Sequence, residues 1–294
     1  MHEFIIKSEL SSYFKVNESE LQIIERLKGG MSNSNYVVKI NDDYYTFRIP
    51  GKNAFVFVDR QIEAKTLSLI KDLHIDGNLL IKIDLESGYK ISHYVEGTPV
   101  MFLNPEDYYL SATQLLKQLH ESNLVASNDY APFNRLEHYE ALVENEGIKH
   151  QDNYYDILNR FKAFKPYLEG LPKVLCHNDS QPSNFIARPD GSLLLVDWEF
   201  GGNNDPLYDV ACFGNNDFKY AEGLLPVYLG RTPTKSEWLR LYLWRTFQCL
   251  QWHNVALYKE AIGLSQELHL DFKAIAEAYI LKANNLFAQA LSFQ

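Results

Sequence analysis

One β segment interrupts the otherwise helical second half of the chain, and it reads VLCHNDSQPSNFIARPDGSLLLVDWEF. Two strand-like runs, Asn184 to Arg188 and Leu193 to Asp197, flank the pair Asp190-Gly191. An Asp-Gly pair between two such runs is a strong signal for a hairpin with a two-residue turn. With that turn, the strand register places Asn184 opposite Asp197. The segment is therefore predicted to bring two oxygen-bearing side chains to the open end of a hairpin.

Three side chains of this segment have the chemistry that phosphoryl transfer needs. Mg²⁺ prefers oxygen ligands and usually takes only one or two from the protein, a requirement that Asn184 and Asp197 meet. Asp179 precedes Asn184 on the loop leading into the hairpin, where it would orient an attacking hydroxyl and accept its proton. The spacing of these residues after His177 is that of the protein-kinase catalytic loop and its metal-binding aspartate. His177 itself is expected to hold the loop in shape.

The residues after Asp197 depart from the protein-kinase pattern. Trp198-Glu199 stands where protein kinases have Phe-Gly. This difference argues against a regulatory activation segment and for a small substrate, and no APE-like signal follows. Glu199 is a candidate for reaching a second metal ion through water, and a structural or solvated carboxylate is the alternative.

The first part of the chain has the pattern of a small sheet with one helix. Apolar residues between Asp59 and Leu73 repeat on one helical face, and a short helix is expected to begin near Ser19. Strand-like runs occupy four stretches, Tyr36 to Ile40, Tyr44 to Ile49, Leu79 to Ile83 and Tyr89 to Val95.

After Gly97-Thr98-Pro99 the apolar residues take helical spacing, as in Trp238 to Tyr258 and Phe272 to Leu286. We therefore place a boundary near residue 97, between parts 1–97 and 98–294. The sequence predicts an α+β protein with a small antiparallel N-terminal sheet and a larger, mainly helical C-terminal part.

Composition excludes several classes of protein. A hydrophobic content of 46% over 294 residues excludes global disorder. A net charge of −10 argues against a nucleic-acid surface and is compatible with attracting a cation. The sequence has no basic leader and no run of about 18 apolar residues, so we expect a cytosolic protein without membrane insertion. Cys176, Cys212 and Cys249 include no CxxC pair and are expected to be buried free thiols.

The motifs HNDSQPSN, VDWEF and NDPLYDVA together resemble the choline/ethanolamine kinase family, and especially its bacterial choline kinase branch, within the aminoglycoside-phosphotransferase superfamily. The resemblance extends over most of the chain. It implies a two-lobed, protein-kinase-like fold, with residues 1–97 as the nucleotide-binding lobe and residues 98–294 as the catalytic and substrate-binding lobe. It also implies an ATP- and Mg²⁺-dependent transfer of phosphate to the hydroxyl of a small cationic amino alcohol, with choline as the first candidate.

The same resemblance implies nucleotide contacts in the first part of the chain. GGMSN, which ends in Ser32-Asn33, is similar to the family's nucleotide loop, and FRIPG is similar to its phosphate-binding strand. Arg48 of that strand would offer a planar fork of donors to the α- and β-phosphates, and Glu63 on the next helix would hold its guanidinium. SHYVEG resembles the hinge, where backbone groups of His93, Tyr94 and Val95 would bind adenine.

A choline site needs aromatic faces and carboxylates, because a quaternary ammonium donates no hydrogen bond. The candidates for substrate contact, besides Asp179, are Gln181, Tyr208, Trp244 and Trp252. In the resembled family, Gln181 and Trp252 stand at pocket positions. Val255 and Asn216 stand where the family has a second tryptophan and often a glutamate, so two cation-binding elements are absent. Asp209 is expected to tie the catalytic loop down by hydrogen bonds.

Several alternatives stay open at this point. Ethanolamine is the nearest alternative acceptor, followed by an aminoglycoside or a sugar. From a different class, a catalytically inactive nucleotide-binding module has the same fold, because fold alone does not fix function. The intact residues Asp179, Asn184 and Asp197 count against an inactive module.

Overall fold

The computed structural model describes residues 1–27 and 33–294, and the chain forms two compact units. The first unit comprises Met1–Leu103 and Ser183–Gly201. The second comprises Asn104–Pro182 and Gly202–Gln294.

The strands are, in chain order, β1 (Leu21–Arg26), β2 (Asn33–Ile40), β3 (Asp43–Pro50), β4 (Leu80–Ile83), β5 (Lys90–His93), β6 (Thr98–Pro99), β7 (Val174–Cys176), β8 (Phe185–Ala187), β9 (Leu193–Leu195) and β10 (Gly202–Asn204). The α-helices are α1 (His2–Phe14), α2 (Arg60–Leu69), α3 (Tyr109–His120), α4 (Pro132–Asn145), α5 (Asp152–Lys162), α6 (Lys165–Glu169), α7 (Pro206–Cys212), α8 (Lys219–Leu229), α9 (Lys235–Ala261), α10 (Leu264–Leu268) and α11 (Phe272–Leu291). The α+β class, with an N-terminal antiparallel sheet and a mainly helical remainder, is confirmed.

The main sheet of the first unit has the strand order β1-β2-β3-β5-β4, with antiparallel neighbours. The hairpin of β2 and β3 closes at Asn41, whose φ of 56° is the left-handed conformation that a tight hairpin turn requires. Ile6 and Leu10 of α1 pack with Val38 and Phe47 of these strands in one apolar cluster. Burial on this face fixes the register of the strands that carry the candidate site.

The start of the chain differs from the sequence-based prediction. The short helix expected near Ser19 is wrong, because Glu18–Glu20 forms only a 3₁₀ turn and β1 follows at once, paired with β2. The helix α1 was not predicted, since only two of its residues are fully buried and its apolar period is weak. The helix expected from Asp59 to Leu73 is formed by α2, whose first turn is capped by the Asp59 carboxylate.

The hairpin of β8 and β9 has a register that differs by one residue from the predicted one. Arg188 donates its backbone N–H to Ser192 at 2.9 Å, so the connecting loop has three residues and ends in Gly191 at φ 83°. A β-turn followed by a left-handed glycine is the usual three-residue hairpin connection. Consequently Val196, and not Asp197, lies opposite Asn184 and donates its N–H to the Asn184 carbonyl oxygen at 2.9 Å.

The hairpin segment belongs to the first unit although it lies far along the chain. β8 pairs with β6 as well as with β9, so the strand that ends the first part of the chain extends this small sheet. The sequence predicted one boundary near residue 97 and did not foresee this second segment. Assigning nucleotide binding to one part and catalysis to the other stays a prediction.

The second unit is built from helices around the two-stranded sheet of β7 and β10. The two longest predicted helices are formed as α9 and α11, and α9 begins with a capping box in which Thr234 and Glu237 bond each other's backbone N–H groups. Cys176, Cys212 and Cys249 are buried free thiols, as predicted. Among the described residues, no helix combines the length and the apolar composition needed to cross a membrane.

Candidate functional site

A bidentate ion pair joins β3 to α2 in the first unit. Arg48 donates from one terminal nitrogen to Glu63 Oε1 at 2.7 Å and from the other to Glu63 Oε2 at 2.9 Å. Both side chains are buried, with exposed fractions of 2% and 0%. The structure therefore brings together the two residues that the sequence paired, in the geometry that a guanidinium and a carboxylate fit best.

Two further cations and a second carboxylate extend this ion pair. Glu199 Oε1 accepts hydrogen bonds from Arg48 at 2.8 Å and from Arg60 at 2.6 Å. Arg60 and Lys90 also donate to Glu63, at 2.8 and 2.9 Å. Burial opposes ionisation of Glu63, yet Lys90, Arg48 and Arg60 together hold the pKa of this carboxyl below its usual range.

In this network, the side chains of Arg48 and Glu199, which the sequence predicted as possible ligand contacts, already bond to protein groups. Besides the two carboxylates, Arg48 donates to the carbonyl oxygen of Gly88 at 3.2 Å. The terminal N–H groups of Arg48 are thus directed at protein oxygens, and the expected fork toward phosphates is not free in this arrangement. Glu199 is likewise held by two arginines and by Asn33, whose side-chain amide donates to Oε1 at 2.8 Å. That contact argues against a second metal ion at Glu199 and gives Asn33 a holding role.

Asp197 contrasts with these paired carboxylates. Within residues 1–27 and 33–294 its carboxylate makes no hydrogen bond or ion pair. Burial and Glu199 raise the pKa of Asp197 to about 6, although Lys90 and Arg48 oppose that rise. Its φ of 69° is a left-handed conformation that is uncommon for non-glycine residues, although aspartate adopts it more often than most.

The donor set at this end of the hairpin suits magnesium. Asp197 follows β9 and Asn184 precedes β8, so both lie at the open end of one hairpin. Asn184 offers an amide oxygen and Asp197 a carboxylate oxygen whose charge is incompletely compensated, and Mg²⁺ commonly uses one or two such protein ligands.

The three hinge residues differ in whether their backbone N–H groups already have hydrogen-bond partners. The N–H groups of His93 and Tyr94 donate to Leu79 and Tyr44, at 2.8 and 3.0 Å. Val95 makes no hydrogen bond within the described parts of the chain. Of the three hinge residues expected to contact adenine, only Val95 therefore has a backbone N–H without a partner in the described parts of the chain. Ser32 lies outside the described residues.

In the second unit, Asp209 of α7 fastens the loop that carries Asp179. Its two carboxylate oxygens accept the backbone N–H groups of His177 and Asn178, at 2.8 and 2.7 Å. Ser180 donates its hydroxyl to the Asp209 carbonyl oxygen at 2.8 Å. The predicted tie between Asp209 and the loop is therefore confirmed.

The environment of Asp209 keeps it ionised. His120 approaches Asp209 Oδ2 with Nε2 at 3.0 Å. Burial would raise the pKa of Asp209, but the hydrogen bond and charge of His120, with the contribution of His177, lower it overall. A buried carboxylate that stays charged accepts stronger hydrogen bonds from the loop.

The loop itself is shaped by residues on both sides of Asp179. Asn178 has a left-handed φ of 64°, and its side chain donates to Gly202 and accepts from Asn204, at 3.1 and 2.8 Å. The His177 ring nitrogen Nδ1 accepts the backbone N–H of Asp179 at 3.2 Å. His177 thus holds the loop in shape, as predicted.

The four candidates for acceptor contact do not lie in equivalent places. Gln181 donates to the Asp179 carboxylate at 3.2 Å, so the structure brings these two predicted residues together. Trp252 is half-buried on α9. By contrast, Tyr208 and Trp244 have exposed fractions of only 1% and 2%.

Tyr208 and Trp244 belong to the apolar core of the second unit. Their rings contact each other at 5.3 Å between centroids, and the Trp244 indole N–H donates to Asp205. The Tyr208 hydroxyl donates to Gln251 at 3.3 Å. Their packing corrects the expectation that either ring lines the substrate pocket, because each is enclosed and its polar group is already paired.

Several charged residues near the candidate site residues of the two units were not predicted. Lys90 lies opposite Arg48 in the pairing of β5 with β3, a signal that only a correct register reveals. Arg245 and Lys282 reach Asn215 in the second unit. The available signal for Arg245 was a charged residue inside the apolar run LYLWRTFQCL.

Comparison with known proteins places this fold among the kinase-like phosphotransferases. A crystal structure of choline kinase LicA from Streptococcus pneumoniae aligns with a TM-score of 0.81 and 28% sequence identity, covering 98% of this chain and 99% of that one. A structure of LicA in complex with AMP aligns at 0.78 with 26% identity, over 98% and 99%. Protein LicA of Haemophilus influenzae is 29% identical over 214 residues, which cover 69% of this chain and 62% of that protein.

The family itself follows from a match over most of the chain. The model of the choline/ethanolamine kinase family matches residues 24–259. The chain therefore belongs to the choline/ethanolamine kinase family, whose members are phosphotransferases with an alcohol group as acceptor.

Proposed function

We propose that this protein is an ATP- and Mg²⁺-dependent kinase that phosphorylates the hydroxyl of a small amino alcohol, with choline as the first candidate and ethanolamine as the alternative. The observation that carries the proposal is the fastening of the loop around Asp179 by the buried, ionised Asp209. Family membership supports the reaction class, and a similar LicA structure was solved with AMP.

Asp179 is proposed as the catalytic base. It would orient the acceptor hydroxyl and take its proton as the hydroxyl oxygen bonds to the γ-phosphorus, while the bond from that phosphorus to the ADP oxygen breaks. Gln181 donates to the Asp179 carboxylate and would keep the carboxylate oxygen that it contacts in place. Because the loop backbone is held on both sides of Asp179, little reorganisation is needed when the hydroxyl arrives.

Asn184 and Asp197 are proposed to hold the magnesium ion. When bound, the ion would neutralise the charge that develops on the phosphates. Asp197 is suited to this role because its own carboxylate lacks a protein partner among the described residues. Ser32, Asn33, Val95 and the pair Arg48–Glu63 remain proposed contributors to nucleotide binding. For the buried pair we propose an indirect contribution, through the shape of β3 and α2.

Trp252 is proposed as one aromatic wall for the cationic head of the acceptor. The substitution of a second family tryptophan by Val255, which is buried, leaves a site with fewer ring faces. We further propose that the protein acts in the cytosol, where ATP is supplied, on a small-molecule substrate.

A coupled assay of ADP release tests the proposal directly. The purified protein would be supplied with ATP and Mg²⁺ and with choline, ethanolamine, thiamine, an aminoglycoside or a sugar in turn, and the phosphorylated product would be identified by mass spectrometry. We expect acceptor-dependent ADP release with choline or ethanolamine and loss of that release in Asp179→Asn. Release that is equal with and without every acceptor would contradict the proposal.

A further inference from the structure

A series of hydrogen bonds in the second unit leads from α9 to the loop that carries Asp179. Arg245 of α9 donates from a terminal nitrogen to the side-chain oxygen of Asn215 at 2.8 Å. Asn215, which follows α7, donates its side-chain NH2 group to the side-chain oxygen of Gln181. Gln181 in turn donates to the Asp179 carboxylate at 3.2 Å. Two amide side chains therefore stand between a buried guanidinium and the proposed catalytic base.

The two groups at the ends of this series fix the direction of every hydrogen bond in it. A guanidinium can only donate, so the Asn215 oxygen must face Arg245 and the Asn215 NH2 group must face Gln181. An ionised carboxylate can only accept, so Gln181 must present its NH2 group to Asp179. The requirements from both ends agree, because Gln181 then offers its oxygen to Asn215.

The shape of the amide groups does not select these directions. The oxygen and the NH2 group of an amide have nearly the same size, so an inverted Gln181 would fill the same space. Its oxygen would then face the Asp179 carboxylate, and an attractive contact would become a repulsive one. The direction of the Gln181 amide is therefore set by its hydrogen bonds, which begin at Arg245.

Arg245 is itself held by protein groups. Its other terminal nitrogen donates to Gln248 at 3.0 Å, and Gln248 donates to the backbone oxygen of Tyr208 at 3.0 Å. Arg245 also reaches the backbone oxygen of Asn215 at 3.1 Å. The side chain is 1% exposed, and the oxygens to which it donates are all neutral. Burying a guanidinium among neutral groups costs free energy, so stability alone does not account for an arginine at this position.

We propose that Arg245 and Asn215 are positioning residues for the catalytic base, because they fix the Gln181 amide with its NH2 group toward Asp179. Neither residue would touch a substrate, and each acts through the next side chain of the series. The inference rests on the proposed kinase function and adds residues to the same site. With the Gln181 donor always presented, the Asp179 carboxylate would be held in place for the acceptor hydroxyl with little reorganisation.

Asn215→Asp tests this directional role. Aspartate has nearly the same size and keeps an oxygen for Arg245, but it has no donor for Gln181. Gln181 would then turn its NH2 group to the new carboxylate and its oxygen to Asp179. We expect kcat to fall by about tenfold or more, since the lost hydrogen bond ends on a charged group, while KM for ATP stays near the wild-type value. Urea unfolding should show no loss of stability, because the new carboxylate pairs with the buried guanidinium.

A double-mutant cycle with Gln181→Met shows whether the effect passes through Gln181. In the Gln181→Met background, Asn215→Asp should change kcat by no more than about twofold, because the side chain that transmits the change is absent. An effect of the added charge acting directly on Asp179 would persist in this background. Asn123→Asp is the control, because it makes the same substitution at an exposed position of the same unit. It should leave kcat unchanged.

Arg245→Gln tests the start of the series without adding a negative charge. Glutamine can donate or accept, so it no longer dictates which end of the Asn215 amide faces it. We expect a lower kcat in Arg245→Gln, and a higher residual kcat in Arg245→Lys, which keeps a group that only donates.

The outcomes distinguish this inference from the function on which it rests. A wild-type kcat in folded Asn215→Asp protein would overturn the inference and leave the kinase intact. An equal loss of kcat with and without Gln181→Met would do the same, as would a wild-type kcat in folded Arg245→Gln. Absence of acceptor-dependent ADP release in the wild-type protein, with choline, ethanolamine and every other acceptor, would overturn the proposed function and this inference with it.

Discussion

Arg48 and Glu63 form a buried bidentate pair, in which each terminal guanidinium nitrogen donates to a different carboxylate oxygen, at 2.7 and 2.9 Å. Glu199 shares the same arginine at 2.8 Å. Because these side chains are buried away from water, each charge is compensated by the other charges of the network.

Arg48→Met should therefore destabilise the protein strongly. Removing one partner of a buried ion pair leaves uncompensated charge and typically costs about 3–5 kcal/mol. Arg48→Lys should cost less, because it keeps the charge and loses the fork. Urea unfolding measures both. The control is Arg188→Met, which removes an exposed pair with Asp190 and should cost at most about 1 kcal/mol. Equal costs for Arg48→Met and Arg188→Met would contradict the assigned role of the network.

Asp197→Asn should abolish turnover in a protein that remains folded. The substitution removes the carboxylate proposed to bind magnesium, and a loss of several kcal/mol of transition-state stabilisation corresponds to about a thousandfold or more in kcat. Asp190→Asn, in the exposed turn of the same hairpin, is the control and should keep normal turnover. Near-normal ATP-dependent activity of a folded Asp197→Asn protein would exclude the assigned role.

Asp209→Asn should lower kcat more than it changes either KM. The two N–H groups, of His177 and Asn178, bond to different oxygens of Asp209, and asparagine replaces one of these oxygens with an NH2 donor. One buried N–H group would therefore stay unpaired, at a cost of about 1–3 kcal/mol. Steady-state kinetics and thermal unfolding measure the two effects. Asp156→Asn, at an exposed position of α5, serves as the control. If the Asp209 variant lost stability but kept its kcat, the loop would not need this tie for catalysis.

The strands and long helices could be predicted from the sequence because their apolar periods are regular. β2, β3, α9 and α11 lie where the pattern placed them. The hairpin register could not, because Asp190-Gly191 fits either a two-residue turn or the last two positions of a three-residue loop. One added residue shifts every pair, and it moved Val196 into the position expected for Asp197.

The sequence predicted those roles in the candidate site that follow from a residue's position in a recognisable motif. Asp209 and His177 bond the loop as expected. The sequence did not reveal groups that meet only after folding, such as Lys90 opposite Arg48 or Lys282 beside Arg245. Trp244 and Trp252 could not be separated, because α9 is buried on most of its faces and its apolar period is too weak to show which ring faces the core.

Trp252→Leu should lower kcat/KM for the acceptor by roughly 30-fold, if the ring contributes a desolvated cation–π contact of about 2 kcal/mol. KM for ATP should stay near the wild-type value. Trp238→Leu removes another α9 indole, which stacks on Phe293, and should leave acceptor kinetics unchanged. Equal acceptor kinetics in wild type and Trp252→Leu would remove Trp252 from the site.

His253 should make the second unit sensitive to acid. Burial is the main cause that lowers the pKa of His253 to about 4, and its Nδ1 lies 2.9 Å from the Ala276 carbonyl oxygen. The unfolded chain binds a proton near pH 6.5 and the folded protein does not, so the stabilising effect is complete above pH 6.5 and is lost as the pH falls toward 4. The loss should amount to about 3 kcal/mol, measured as the free energy of unfolding in urea from pH 7 to pH 4. His253→Asn should flatten this dependence, whereas His138→Asn at an exposed position should not. The same slope in wild type and His253→Asn would assign the acid sensitivity to other groups.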